Sequence, residues 1–182
     1  MNTSTPPPAE SRPGDGIRHP PDLGSLYEDF VAGEIHVHWP GRTVLDADNS
    51  WFTLLTMNTH PLHFDAAWAR EQSFGRPLVN SLLTLSIVTG MSVRETSQRA
   101  VANLGWSEVR LLAPVFVGDT LYAESRILGK RLSRSRPGEG IVEVQTCGFN
   151  EHRTLVIEFK RSFLVPCREP ATAASRTAGT AP

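Results

Sequence analysis

Hydrophobic positions follow two different periods along the chain, and the change falls after residue 96. Before it, residues 78–93 form the longest apolar stretch, whose members lie near one stripe with a 3.6-residue period. After it, β-branched and aromatic residues are frequent, and several segments alternate between apolar and polar positions as a half-buried strand does. The pattern therefore predicts one core helix followed by a run of strands. The helical stripe consists of Leu78, Leu82, Leu85 and Val88, broadened by Leu83 and Ile87.

Four strands are predicted in the second half of the chain. Val142, Val144 and Thr146 share one face of the third strand, while Glu158 and Lys160 point away from the apolar face of the fourth. Turn-forming residues separate the segments. A helix followed by antiparallel strands predicts an α+β fold in which one long helix lies across a curved sheet. The predicted strands are residues 104–112, 120–130, 141–149 and 154–165.

The region ahead of the core helix contains shorter elements. Residues 46–56 carry cap-type residues before apolar ones, which predicts a short helix ending near Thr56. Residues 63–70 predict a second helix, because their alanines favour helix, and residues 75–77 end it. The remaining candidates for edge strands or turns are residues 27–31 and 34–38, with Gly33 and Pro40-Gly41 as breaks.

The composition is typical of a single globular domain. With 182 residues and 40% hydrophobic content, the chain can bury one core. Residues 1–22 and 168–182 contain few large apolar groups, so we expect a disordered arm and tail around a folded body at residues 23–167. The formal net charge of -1 gives no overall field that would attract nucleic acid.

The sequence favours a cytoplasmic location. Its first residues lack the basic start and apolar core of a signal peptide, and no apolar run reaches the roughly 18 residues that span a bilayer. Cys147 and Cys167 lack metal-ligand spacing and are expected to be free thiols in a reducing compartment. We therefore expect a protein that binds neither nucleic acid nor membrane.

The densest group of chemically active side chains lies just before the core helix. Two imidazoles, an amide and a carboxylate fall within residues 58–65. Imidazole exchanges a proton near neutral pH, which suits acid and base catalysis. At the helix start, Asn80 and Ser81 can both cap, and the backbone N–H groups there favour an anion. The four side chains are Asn58, His60, His63 and Asp65.

A metal site is the less favoured interpretation of the histidines. His36 and His38 share a predicted strand face and could join His60 and His63 around a metal, because imidazole is a common metal ligand. No paired histidine or cysteine spacing supports such a site. We expect no metal.

The residues around this group resemble a known family. Residues 58–63, Asn-Thr-His-Pro-Leu-His, resemble the Asp-x-Asn-Pro-Leu-His signature of the MaoC-like, R-specific enoyl-coenzyme A hydratases, which have the hot-dog fold. Residues 74–79 ahead of the helix and residues 114–121 before a strand agree with this family in order and spacing. Residues 55–58 and 101–106 are similar to the branch that contains bacterial itaconyl-coenzyme A hydratases, which act in itaconate and leucine breakdown.

The resemblance implies roles for particular residues. In the family, the aspartate and histidine of the signature hold a water molecule, and a backbone amide at the helix start receives the thioester oxygen. These positions are Asn58, His63 and the amide of Ser81. An asparagine can orient water but cannot accept its proton, so His63 would need to act alone, with Asp65, or with a carboxylate on the substrate. His60, which replaces the signature asparagine, is expected to shape the loop beside the substrate.

Further residues are candidates for substrate binding. Asn80 lies at the helix start, and a dicarboxylic acyl group would need a cation, for which Arg76 and Arg110 are candidates. Arg134 and Arg136 belong to a basic run that either contacts coenzyme A phosphates or forms a solvated loop. Coenzyme A is part of the substrate, so no separate cofactor is expected. Hot-dog units generally pair, which implies a homodimer or a higher even oligomer.

Three functions remain open from the sequence. The first is a hydratase for a short branched or dicarboxylic enoyl-coenzyme A, with itaconyl-coenzyme A or the related mesaconyl-coenzyme A as substrate. The second is a thioesterase on the same fold, which would release a free thiol. The third is a non-catalytic acyl-coenzyme A binding module, which the replacement of aspartate by Asn58 suggests.

Overall fold

A five-stranded antiparallel sheet forms the body of the protein. The computed structural model describes residues 23–168, and the predicted arm at 1–22 and the tail beyond Arg168 lie outside this range. The strand order is β1-β3-β4-β5-β2. All four strands predicted from alternation are confirmed to within two residues at each end. The strands are β1 Ile35–Thr43, β2 Ala102–Leu111, β3 Thr120–Leu132, β4 Glu139–Phe149 and β5 Leu155–Pro166.

One helix lies across the sheet, and the others precede it. The helix across the sheet, α3, buries Leu83 and Val88. A Cβ added at Gly148 on β4 would lie 2.7 Å from side-chain atoms of Val88 and Ile157, so a glycine is needed where α3 approaches the sheet. The helices are α1 Asp46–Leu55, α2 Ala66–Arg70 and α3 Ser81–Met91, with 3-10 turns at Tyr27–Asp29 and Pro61–His63 and a π-helical turn at Val93–Ser97.

The predicted start of the core helix was wrong by three residues. Leu78 forms an isolated β-bridge with Phe116, and the Val79 N–H donates to the Val115 carbonyl at 2.9 Å. These distant partners hold the backbone extended, so α3 begins only at Ser81. As a result, the buried face of α3 differs from the predicted apolar stripe. Leu82, which the prediction placed in that stripe, is 58% exposed.

Two predictions ahead of α3 also need correction. Pro40 and Gly41 do not break β1, which continues through them with a register shift between His38 and Arg42. Because β1 is an edge strand, the missing N–H of Pro40 costs the sheet no central hydrogen bond. The helix predicted from residue 63 begins at Ala66, since Pro61–His63 forms a separate turn. The helix predicted for residues 46–56 is confirmed as α1.

A polar row divides the core on the helix-facing side of the sheet. His38, Ser125, Thr146 and Arg161, one from each of β1, β3, β4 and β5, are all buried. An apolar cluster lies on each side of this row. The π-helical turn, residues 93–97, covers it and supplies Glu95 to His38.

Candidate active site

The loop that carries the candidate residues begins at a defined helix end. The Met57 N–H donates to the Leu54 carbonyl and the Asn58 N–H to the Thr53 carbonyl, both at 3.0 Å. This is the bonding of a Schellman motif, in which the residue after the cap is left-handed and is usually glycine. Met57 holds that position with φ 57°. The motif directs the chain out of α1 and places Asn58 at the start of the loop.

The side-chain oxygen of Asn58 accepts a hydrogen bond within the loop. Asn58 Oδ1 accepts the His60 N–H at 3.0 Å, and His60 Nδ1 accepts the Leu62 N–H at 3.2 Å. The His60 ring also lies edge-on to Trp68, with centroids 5.6 Å apart. His60 therefore holds the turn in shape, as expected from the sequence. Asn58 can therefore meet a water molecule with its Nδ2 group, which donates, and with the remaining lone pair of Oδ1, which accepts.

The ring of His63 is held in one tautomer. Its Nδ1 lies 2.9 Å from the Leu78 carbonyl oxygen. A carbonyl can only accept, so Nδ1 carries a proton, and in the neutral ring the lone pair is on Nε2. The side chain is half-buried, and its centroid is 5.9 Å from that of His60. A neutral imidazole with a lone pair on Nε2 is suited to act as a general base.

Asn49 on α1 links the pieces of the site, and the sequence analysis did not identify it. It is fully buried, and its Nδ2 donates to the His63 carbonyl at 2.7 Å and to the Leu78 carbonyl at 3.1 Å. Its Oδ1 accepts the Asn80 N–H at 2.8 Å. The sequence signal was ambiguous, because Asn49 follows two aspartates and was grouped with the capping residues.

The start of α3 leaves the backbone N–H of Ser81 without an acceptor in the described part of the chain. Asn80 is buried, and its Oδ1 accepts the Leu82 N–H at 3.0 Å, so it is the cap that the sequence predicted. Its Nδ2 donates to Thr53 Oγ1 at 3.3 Å. Within residues 23–168, no acceptor is found for the N–H of Ser81, which is exposed. This N–H and the positive end of the helix dipole suit a developing negative charge.

Asp65 serves as a helix cap. Its Oδ1 accepts the Trp68 N–H at 3.0 Å, at the start of α2. The carboxylate proposed as a partner for His63 is therefore engaged with the backbone of its own helix. It lies two residues along the chain from His63, but the His63 ring donates to the Leu78 carbonyl and the His63 carbonyl accepts from Asn49 instead.

The candidate arginines occupy three separate places. Arg76 lies with its guanidinium 3.7 Å from the centroid of Phe116, whose backbone bridges Leu78 next to the site. Arg110 on β2 forms an ion pair with Glu158. Arg134 and Arg136 lie past the end of β3. The strand starts near Phe116, and its 13 residues span about 40 Å, so the two arginines lie at its opposite end. The structure thus places Arg76 on Phe116, the bridge partner of Leu78, and leaves Arg134 and Arg136 at the far end of β3 within one chain.

His38 belongs to a separate, buried hydrogen-bond network in the sheet. His38 Nδ1 lies 2.9 Å from Glu95, and His38 Nε2 lies 2.8 Å from Ser125 Oγ. The order serine, histidine, carboxylate matches a hydrolase triad, but Ser125 has no exposed surface and also bonds Thr146. Burial lowers the pKa of His38, and the Glu95 carboxylate opposes that effect.

Arg161 completes the polar row. It donates to the hydroxyl groups of Ser92, Thr96 and Ser97, and burial lowers its pKa to about 10, so it stays charged at neutral pH. The part of the chain that the structure describes contains no group of three or more metal-ligating side chains. Cys147 and Cys167 are free, as predicted.

Strand order and helix position define a class of protein. A five-stranded antiparallel sheet wrapped against a central helix is the hot-dog fold, which solved relatives share. The sequence matches the family described as "MaoC like domain" over residues 31–147. The chain therefore belongs to the MaoC-like dehydratase family. The family predicted from residues 58–63 and their surroundings is confirmed.

Three known proteins illustrate the relationship. The chain is 36% identical over 161 residues to a mesaconyl-CoA hydratase from Cereibacter sphaeroides, covering 88% of this chain and 46% of that protein. It is 34% identical over 155 residues to a β-methylmalyl-CoA dehydratase from Chloroflexus aurantiacus, covering 85% and 44%. The crystal structure of a MaoC domain dehydratase from Chloroflexus aurantiacus aligns with a TM-score of 0.78 and 31% identity, covering 90% and 46%. The chain thus spans about half the length of these relatives.

Within residues 23–168, no helix combines the length and the apolar character needed to cross a bilayer.

Proposed function

We propose that the protein is a hydratase that adds water across the double bond of a short branched or dicarboxylic enoyl-coenzyme A. The observation that carries this proposal is the tautomer of His63, whose Nδ1–H donates to Leu78 and leaves Nε2 as a base. The N–H of Ser81, an exposed residue next to the cap Asn80, supplies the second requirement, a donor for the thioester oxygen. The mesaconyl-CoA hydratase relative supports the reaction class.

The proton movements can be followed from these groups. His63 Nε2 takes a proton from water while the water oxygen bonds to the β-carbon and the π electrons move onto the thioester oxygen. The Ser81 N–H and the α3 dipole stabilise that oxygen. The protonated His63 then returns a proton to the α-carbon, and dehydration is the reverse. Asn58 orients the water by donating from Nδ2, because an amide cannot take its proton.

The finer proposal concerns the acyl group. The sequence resemblance in residues 55–58 and 101–106 favours itaconyl-coenzyme A, hydrated to citramalyl-coenzyme A in itaconate and leucine breakdown. The methylene double bond of itaconyl-coenzyme A is not conjugated with the thioester. His63 would therefore first take a proton from the α-carbon and return one to the methylene carbon, which moves the double bond into conjugation, and the hydration described above would follow. The relatives named above favour mesaconyl-coenzyme A, an isomer of the same five-carbon dicarboxylic group. Arg76 is the better candidate for the distal carboxylate, because Arg110 is already paired with Glu158.

The decisive experiment follows two signals at once. Absorbance of the enoyl thioester is recorded with crotonyl-, mesaconyl- and itaconyl-coenzyme A, with a thiol-detecting reagent in parallel. Loss of the double bond without thiol release is expected, fastest with a dicarboxylic substrate. Thiol release would instead indicate the thioesterase, and no change in either signal with all three substrates would contradict the hydratase.

A non-catalytic binding module is the second candidate. The observation that favours it is that Asn58, whose oxygen accepts the His60 N–H, replaces the family aspartate and cannot take a proton from water. This alternative predicts acyl-coenzyme A binding without turnover, and the same binding constant in His63→Ala.

A further inference from the structure

We propose that Asn49 is a positioning residue that fixes the general base and the oxyanion donor relative to each other. This inference rests on the hydratase function proposed above. Asn49 lies on α1, is fully buried, and cannot meet the substrate, so it must act through the groups it holds.

The base is held by Asn49 at two points. The first is the His63 carbonyl, which accepts from Asn49 Nδ2 at 2.7 Å. The second is the Leu78 carbonyl, which accepts from Asn49 Nδ2 at 3.1 Å and from His63 Nδ1 at 2.9 Å. A carbonyl oxygen has two lone pairs, so these two donors fill it and fix its direction. The direction of that carbonyl sets the tautomer and the orientation of the His63 ring.

The oxyanion donor is held by the other side of the same amide. Asn49 Oδ1 accepts the Asn80 N–H at 2.8 Å, and Asn80 is the cap of α3. The next residue is Ser81, whose N–H is the proposed donor. One planar amide group therefore joins three chain segments, α1, the His63 loop and the start of α3, and spans the gap between the two catalytic positions.

The chemistry of the three contacts requires an asparagine. Two neighbours are carbonyl oxygens and the third is an N–H, so only one orientation of the amide satisfies all three. Aspartate of the same size could keep the contact with Asn80, but with at most one proton it could donate to only one of the two carbonyls. Leucine of similar size would lose all three bonds. Asn49→Asp thus weakens the contacts that hold His63 and keeps the contact with α3, whereas Asn49→Leu removes both.

The test measures turnover and the His63 tautomer in Asn49→Asp and Asn49→Leu. We expect kcat to fall about tenfold in Asn49→Asp and about 10²-fold in Asn49→Leu, with KM within about threefold of wild type, because misplaced groups slow the chemical step more than binding. Long-range proton–nitrogen NMR of the imidazole, assigned by comparison with His63→Ala, should show the Nδ1–H form in wild type and a mixture in both variants.

Ser125→Ala provides the control for stability. It removes a buried hydroxyl in the polar row, away from the site, and should lower the melting temperature with little change in kcat or in the His63 signals. A kcat and a His63 tautomer like those of wild type in Asn49→Asp would overturn the proposal. A loss of kcat in Ser125→Ala as large as that in the Asn49 variants would also overturn it. If Asn49→Leu does not fold, Asn49→Asp decides. If wild type hydrates no substrate, the NMR signals still test the holding of His63, so the two proposals fail separately.

Discussion

His63 is the residue on which the proposed reaction depends most directly, because no other group here can both remove and return the proton. His63→Ala is expected to lower kcat about 10²-fold or more. His152→Ala, in an exposed turn, is the matched control and should leave kcat unchanged. Steady-state kinetics with the best dicarboxylic substrate measure both, and near wild-type turnover in His63→Ala would remove it from the mechanism.

Asn58 offers a test of how the missing carboxylate is replaced. Asn58→Asp keeps an oxygen for the His60 N–H, so the loop should hold its shape. The added carboxylate restores a base beside His63 but repels a carboxylate on the substrate. We expect faster hydration of crotonyl-coenzyme A and slower hydration of itaconyl- or mesaconyl-coenzyme A. Equal loss on all substrates would contradict this account, and Asn58→Ser controls for loss of the amide alone.

Met57 stores strain next to the site. It is left-handed with φ 57° and 86% exposed, so its side chain gains little from packing. Glycine adopts this conformation freely, although it also makes the unfolded chain more flexible. Met57→Gly should therefore raise the free energy of unfolding by about 1 kcal/mol, measured by urea denaturation. Met57→Ala keeps the Cβ and should show no such gain; an equal gain would show that strain is not the cause.

At the scale of elements, the strands were predictable because their pattern is local. Alternation placed β3, β4 and β5 close to their observed ends, and Asn80 was recognisable as a cap from its position. The start of α3 was not predictable, because the partners that keep Leu78 extended lie near residue 116. Asn49 was missed for the same reason, since nothing near it in sequence shows that it bonds residues on two other segments.

The π-helical turn after α3 should make stability depend on pH. Burial beneath this turn lowers the pKa of His38, which faces Glu95, His36 and Arg161, below the value of about 6.5 that it has in an unfolded chain. As pH falls through about 6.5, the unfolded chain binds a proton more readily than the folded chain, so the free energy of unfolding decreases. One such proton contributes at most about 1.4 kcal/mol per pH unit.

Urea denaturation between pH 5.5 and 7.5 measures this dependence, in a range where most carboxylates stay ionised. His38→Gln should flatten the slope in this range, whereas His152→Gln on the surface should leave it as in wild type. An unchanged slope in His38→Gln would assign the pH dependence to other groups.

At the scale of the whole molecule, β2 is an uncovered edge with exposed Leu104 and Trp106. We propose that a second copy of the chain pairs along this edge, because an uncovered strand edge that carries apolar side chains favours self-association. A homodimer is therefore expected in light scattering. Trp106→Lys should raise its dissociation constant at least about tenfold, while Val37→Lys on β1, the opposite edge, should not. A wild-type monomer at micromolar concentration would contradict this arrangement.

The site is also continuous in sequence. Asn49, Asn58, His63 and Ser81 all lie between β1 and β2, outside the five strands. Replacing this one continuous segment of the chain would replace all four of these residues and leave the sequences of the five strands unchanged. The scaffold can therefore acquire a different chemistry through one local event in its gene, without coordinated changes across the rest of the chain.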